Sequence, residues 1–172
     1  MKKTMLCAFF MVTAGAVGNT QASDGTIHFT GSITDQTCSV DSGSKNLPVE
    51  LGNVAQTALS GGAGTKAAPT RFTLSVSDCP DTVTSANVKF DGVNASNASL
   101  LALDDDAGAA TGVGIEIADE NGMPIPLQTA SPDYPLAPGA NTLDFVARYV
   151  STSDTVTTGP ANGTSEFTII YK

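Results

Sequence analysis

Apolar positions along this chain recur in steps of two, in short runs separated by glycine, proline and small polar residues. "GTIHFTGSIT" (25–34) puts Ile27, Phe29, Gly31 and Ile33 on one face and Thr26, His28, Thr30, Ser32 and Thr34 on the other. That is the alternation of a half-buried strand. The same period groups Leu47, Val49 and Leu51 in "NLPVEL", Phe72, Leu74 and Val76 in "RFTLSV", and Val88 with Phe90 in "NVKF". Val113, Ile115 and Ile117 follow in "GVGIEIAD", then Leu143, Phe145, Ala147 and Tyr149 in "NTLDFVARYV", and Phe167, Ile169 and Tyr171 in "EFTIIYK". No segment of ten or more residues has helical periodicity. The turn-rich pieces "SGGAGTKAAP" (60–69), "ENGMP" (120–124) and "LAPGAN" (136–141) separate the runs, and 60–69 is long enough to read as a mobile loop. "SLLAL" (99–103) fits either a strand or a short helical turn. The pattern predicts an all-β chain, a Greek-key β-sandwich with a β-barrel as its structural rival.

One detail divides the first run. Its apolar face is odd-numbered up to Ile33, whereas Cys38 and Val40 are even-numbered. A continuous strand does not change parity without a bulge or break, and "DQT" (35–37) supplies the place. Two elements are therefore expected, a first strand over 25–34 and a second from near Cys38. From pattern alone the first reads either as an ordinary edge strand of this domain or as an arm that adds a strand to another subunit. Gly31 hints at close approach by another backbone.

Lys2 and Lys3 precede an apolar run at 5–17, and "TQA" (20–22) offers a small-residue cleavage site, which is the pattern of an export signal. The apolar run is too short to span a bilayer. A cleaved signal peptide over 1–22 leaves 23–172, one domain of ordinary size with no membrane span. Cys7 departs with the signal, so Cys38 and Cys79 remain and are expected to pair in an exported chain. Such a bridge stabilises by about 4 kcal/mol in the chain-entropy picture. Loss of Lys2 and Lys3 leaves six basic residues against 17 acidic ones, a net charge near −11. Nucleic-acid binding needs clustered Lys and Arg and is disfavoured.

In their order, these pieces resemble subunits of chaperone–usher pili, especially the type 1 fimbrial group. "GTIHFTGSITDQTCSV" is similar to that family's N-terminal extension and first cysteine, and "LSVSDCP" (74–80) to the segment with the second. The blocks at 99–127 and 141–150 resemble its central region and a later strand. "GPANGTSEFTIIYK" is the most specific piece, with Gly159 fourteenth from the end and Tyr171 penultimate. The resemblance implies an incomplete immunoglobulin-like Greek-key sandwich lacking its last strand. A donor strand, from a periplasmic chaperone and then from a neighbouring subunit at the outer-membrane usher, would complete it. It implies a donor-strand extension at 23–35 whose filling face is Ile27, Phe29, Gly31 and Ile33, and a pilin domain at 36–172. It also implies a Cys38–Cys79 disulfide, and a groove border and chaperone contact at Gly159, Phe167, Ile169 and Tyr171. The expected role is a structural, non-enzymatic subunit of a cell-surface fimbrium. Only Ser23 and Asp24 precede "GTIHF", an arm short for a shaft subunit and closer to a minor adaptor.

Little chemistry competes with that reading. His28, the one histidine, lies on the polar face of the first run, so no Ser–His–Asp or Cys–His set is available within the domain. Two thiols and one imidazole are too few for a structural zinc site. Asp104, Asp105 and Asp106 are consecutive and lack the alternating spacing of a calcium loop. "NAS" (94–96) and "NGT" (162–164) fit a glycosylation sequon. No cofactor is expected. Two alternatives stand beside the favoured one: a tip adhesin, which needs a lectin domain for which there is no room, and a self-contained secreted sandwich using 25–34 as its own edge.

Overall fold

The computed structural model describes residues 25–31, 33, 37–97 and 99–172. The expected signal peptide, its cleavage site, Ser23, and Asp35 and Gln36 of the expected break lie outside the described residues. The chain divides after Ile33. In the N-terminal unit, residues 25–31 and 33 form no strand, and Ile27, Phe29 and Ile33 are 78%, 92% and 105% exposed. Alternation decides which side chains share a face; a strand forms only where a neighbour supplies ladder partners.

The C-terminal unit is nearly all β. Its strands are β1 (Ser39–Val40), β2 (Lys66–Cys79), β3 (Ser85–Asp91), β4 (Val113–Asp119), β5 (Tyr134–Pro135), β6 (Gly139–Ser151) and β7 (Glu166–Tyr171). One sheet has the order β1-β2-β6-β4, the other β5-β3-β7, and every pairing is antiparallel. Among the described residues helix is confined to α1 (Ser42–Lys45) and a 3-10 turn, Gln56–Leu59.

Register turns the period-2 pattern into a core. Phe72 stands opposite Phe145 and Leu74 opposite Leu143 in the β2–β6 pair. In β4–β6, Ile115 faces Tyr149 and Ile117 faces Ala147. In the other sheet Phe90 pairs with Phe167, Val88 with Ile169 and Ala86 with Tyr171. Apart from Ala86 and Tyr171, these inward residues of both sheets make one cluster, in which the Phe145 ring stacks on Phe72 at 5.4 Å and meets Phe90 edge-on at 5.1 Å. Aromatic pairs at such spacing add stabilisation beyond burial. Cys38 and Cys79 form a disulfide, packed with Val76 and Val83 in a second cluster.

Three segments depart from the sequence expectation. The 60–69 piece is not a loop throughout, because Lys66 to Pro69 already belong to β2. A register shift between Ala67 and Thr70 accommodates Pro69, and Ala68 there takes φ 54°. Proline in a strand requires such an irregularity. "SLLAL" is neither strand nor helix: Leu101 makes isolated bridges to Asn94 and Ile115. "NLPVEL" keeps its apolar face, with Val49 and Leu51 packed on the main core, but joins no sheet.

A buried acid lies on the other face of the four-stranded sheet. Glu116 accepts from Arg148 Nε at 2.6 Å and pairs with Lys66 Nζ at 2.9 Å. Arg148 Nη2 also donates to the Gly122 carbonyl at 2.9 Å, pinning the 119–123 turn. A buried carboxylate is tolerable only when partnered in this way.

Candidate functional site

The unpaired "NLPVEL" segment borders an apolar cleft. A cleft of 1090 Å³ opens between residues 44–51 on one side and 163–168 on the other, floored by Phe72, Leu74, Phe90, Leu101, Ile115 and Ile117. A second, of 690 Å³, continues between 48–56 and 156–163 over Leu59, Val113 and Tyr149. The two share Pro48, Val49, Leu51, Ile115 and Gly163, so they form one groove with two rims. At its far end Gln56 Nε2 donates to the Val156 carbonyl, bridging rim to rim.

Both rims are backbone edges. β7 is the last strand of its sheet. Lys172 and Ser85 exchange both backbone hydrogen bonds, at 2.8 and 3.3 Å. In an antiparallel ladder such exchanging residues alternate with non-exchanging ones. The N–H and C=O groups of Phe167, Ile169 and Tyr171 therefore point to the outer edge, while their side chains pack inward. On the other rim, residues 48–54 belong to no strand and make no backbone–backbone hydrogen bond among the described residues. The gap between the rims is a cleft lined by core side chains beside two rows of backbone groups, which is the geometry an added strand would fill.

The rim ahead of β7 is held by the 108–111 segment and by the floor residue Tyr149. Ala110 N–H donates to the Pro160 carbonyl at 2.8 Å, Thr157 N–H to the Thr111 carbonyl at 3.1 Å, and Tyr149 Oη to the Ala161 carbonyl at 2.8 Å. Gly159 lies against the 108–110 backbone so closely that no side chain fits.

Gly159 and Phe167 line the groove. Ile169 and Tyr171 lie further along β7, where both pack over the disulfide end. Burial raises the Tyr171 phenol above its ordinary pKa, and its buried hydroxyl has no partner among the described residues. Ile27, Phe29 and Gly31 lie in the N-terminal unit with Ile33, all exposed. Sequence reasoning missed Val54, Gln56, Leu59, Val156 and Ala161, because "VAQTAL" (54–59) has no alternation and folds partly as a 3-10 turn. It also missed that Asp104 and Asp106 are partners of Thr164 and Asn162. Among the described residues no group of three or more His, Cys, Asp or Glu is placed to hold a metal ion, and no helix is long and apolar enough to cross a membrane.

The family model described as "Fimbrial protein" matches residues 27–172. Long polar fimbria protein A of Salmonella typhimurium is 38% identical over 176 residues, spanning 100% of this chain and 98% of that protein. The type-1 fimbrial protein A chain of Escherichia coli K12 is 36% identical, over 93% of this chain and 90% of that one. Among solved structures, an antigen and type I fimbria protein of Burkholderia pseudomallei superposes with TM-score 0.62 at 38% identity, covering 86% of this chain and 97% of that one. The shared architecture is the immunoglobulin-like sandwich of pilus subunits.

Proposed function

The chain belongs to the fimbrial protein family as a chaperone–usher fimbrial subunit, and from that premise we propose that it polymerises by donor-strand exchange to build an adhesive fimbrium. The donor is the 23–35 extension of one copy or of a neighbouring subunit, presenting Ile27, Phe29, Gly31 and Ile33. The acceptor is the groove between 44–56 and 156–168 of the next subunit. Before assembly a periplasmic chaperone occupies the groove, and an outer-membrane usher exchanges it for the arm. The product is displayed on the cell surface, and the role is structural rather than enzymatic.

The observation that carries this reading is a pair of open backbone rims around a cleft floored by apolar core residues. From Ile27 to Ile33 an extended chain spans about 20 Å, and the 48–54 rim is as many residues long. Burying Ile27, Phe29 and Ile33 contributes about 1.5–3 kcal/mol each, with ladder hydrogen bonds on both sides. An empty groove of this kind invites aggregation, which accounts for a chaperone. A joint in which the added strand completes the core lasts as long as the fold itself, so filament persistence is set by slow unfolding.

Phe29→Asp tests the arm. It should block incorporation into filaments, scored by electron microscopy, while the complex with the chaperone persists. Loss of the chaperone complex as well would assign residues 23–35 to the subunit's own core.

A further inference from the structure

The acidic run at 104–106 and the "NGT" at 162–164 are 60 residues apart in sequence and joined in the fold. Asp104 Oδ1 accepts from the Thr164 N–H at 3.2 Å and Oδ2 from Thr164 Oγ1 at 3.1 Å. The Asp104 N–H donates to the Asn162 carbonyl at 2.8 Å, and Asn162 Nδ2 donates to Asp106 Oδ2 at 2.8 Å. Between the clasped residues, Gly163 turns to the groove floor: a Cβ there would stand 2.8 Å from Ile115 Cδ1 and 3.3 Å from Leu101 Cδ2. Gly163 and Thr164 both line the cleft.

The need for such a clasp follows from where the sheet ends. The β3–β7 ladder stops at Asp91 and Glu166, so residues 157–164 gain no support from β3 pairing. The 104–111 segment partners the backbone of Thr157, Pro160, Asn162 and Thr164 instead, and Tyr149 Oη that of Ala161. An unsupported chain beside an open apolar cleft would be drawn over it by the same burial that favours an incoming strand. Side-chain acceptors behind the rim fix it where Gly163 meets Ile115 and Leu101, and so oppose any further movement across the cleft.

We propose that Asp104, with Asp106, is a positioning residue that fixes the 162–164 rim where Gly163 seats on Leu101 and Ile115, and so sets how fast and how firmly a strand is taken up. This inference rests on the groove being the acceptor argued above. Asp104 touches no incoming residue; it acts through Thr164 and Asn162. The sequon residues are thereby committed to the rim.

The test uses the full chain, purified as its chaperone complex, and a labelled synthetic peptide of residues 23–35. Variants are Asp104→Ala, Asp104→Asn, which keeps an oxygen acceptor, and Thr164→Val, which keeps the shape and loses the hydroxyl. Asp104→Ala should release bound peptide about tenfold faster, Thr164→Val about threefold, and Asp104→Asn should restore most of the loss, as expected for two hydrogen bonds and one. The decisive readout pairs each variant with peptides carrying Ile27→Ala, Phe29→Ala or Ile33→Ala. A positioning role predicts non-additive coupling with the one peptide side chain seated at 162–164. Should Asp104→Ala fail to fold, Thr164→Val carries the same cycle. Unchanged release rates, or equal losses with all three peptides, would reduce the clasp to general stability and overturn the proposal. Failure of the unaltered chain to take up any peptide overturns the acceptor reading and this inference with it.

Discussion

A Cβ on Gly159 would stand 2.1 Å from the Gly108 carbonyl oxygen and 2.7 Å from the Ala110 nitrogen. Backbone, not a side chain that can swing aside, occupies the space, so any residue larger than glycine must push two loops apart. This is where the C-terminal rim of the groove turns toward β7. Gly159→Ala should therefore lower stability by about 1–3 kcal/mol, the usual cost of overpacking a tight contact. The midpoint of urea unfolding checks it, with Gly108→Ala as a milder control, since a Cβ at Gly108 meets nothing within 4 Å; its φ of 75° still adds backbone strain.

Tyr134 gives the fold an alkaline limit. Burial, followed by the nearby Asp119, Glu120 and Asp144, pushes its phenol up to about 12, while an unfolded tyrosine titrates at about 10. The unfolded chain thus loses its proton first as pH rises. Tyr134's contribution is fully present below pH of about 10 and falls away toward about 12. Burial raises Tyr149 and Tyr171 in the same direction. Melting temperatures recorded between pH 9 and 12 should fall through that window, and Tyr134→Phe should make the fall shallower. An unchanged slope in Tyr134→Phe would mean that other groups set the limit.

The fold was legible where one physical rule decides the outcome. Leu74 and Val88 alternate with polar neighbours, and period 2 suffices to place them on the inner faces of two sheets. Cys38 and Cys79 pair, as expected from reading Cys7 as part of an export signal. Reading was weaker where tertiary context overrides local pattern. Lys66 and Ala67 look like loop residues, yet ladder pairing with Val150 and Tyr149 draws them into β2. Leu47, Val49 and Leu51 alternate like a strand, yet no sheet offers them a partner, and that unmet pattern is one rim of the groove. The second rim depends on contacts between Asp104 and Thr164, or Gly159 and Gly108, which no periodicity encodes.

The most direct measurement removes residues 23–35, holds the remaining chain in its chaperone complex, and then offers a synthetic peptide of that segment. If the groove accepts the arm, the recovered peptide-bound subunit should melt about 10 °C or more above the same chain without peptide, as saturating a tight site requires. A peptide carrying Phe29→Asp should give no such rise. A truncated chain that folds alone and melts at one temperature with or without the peptide would contradict donor-strand polymerisation.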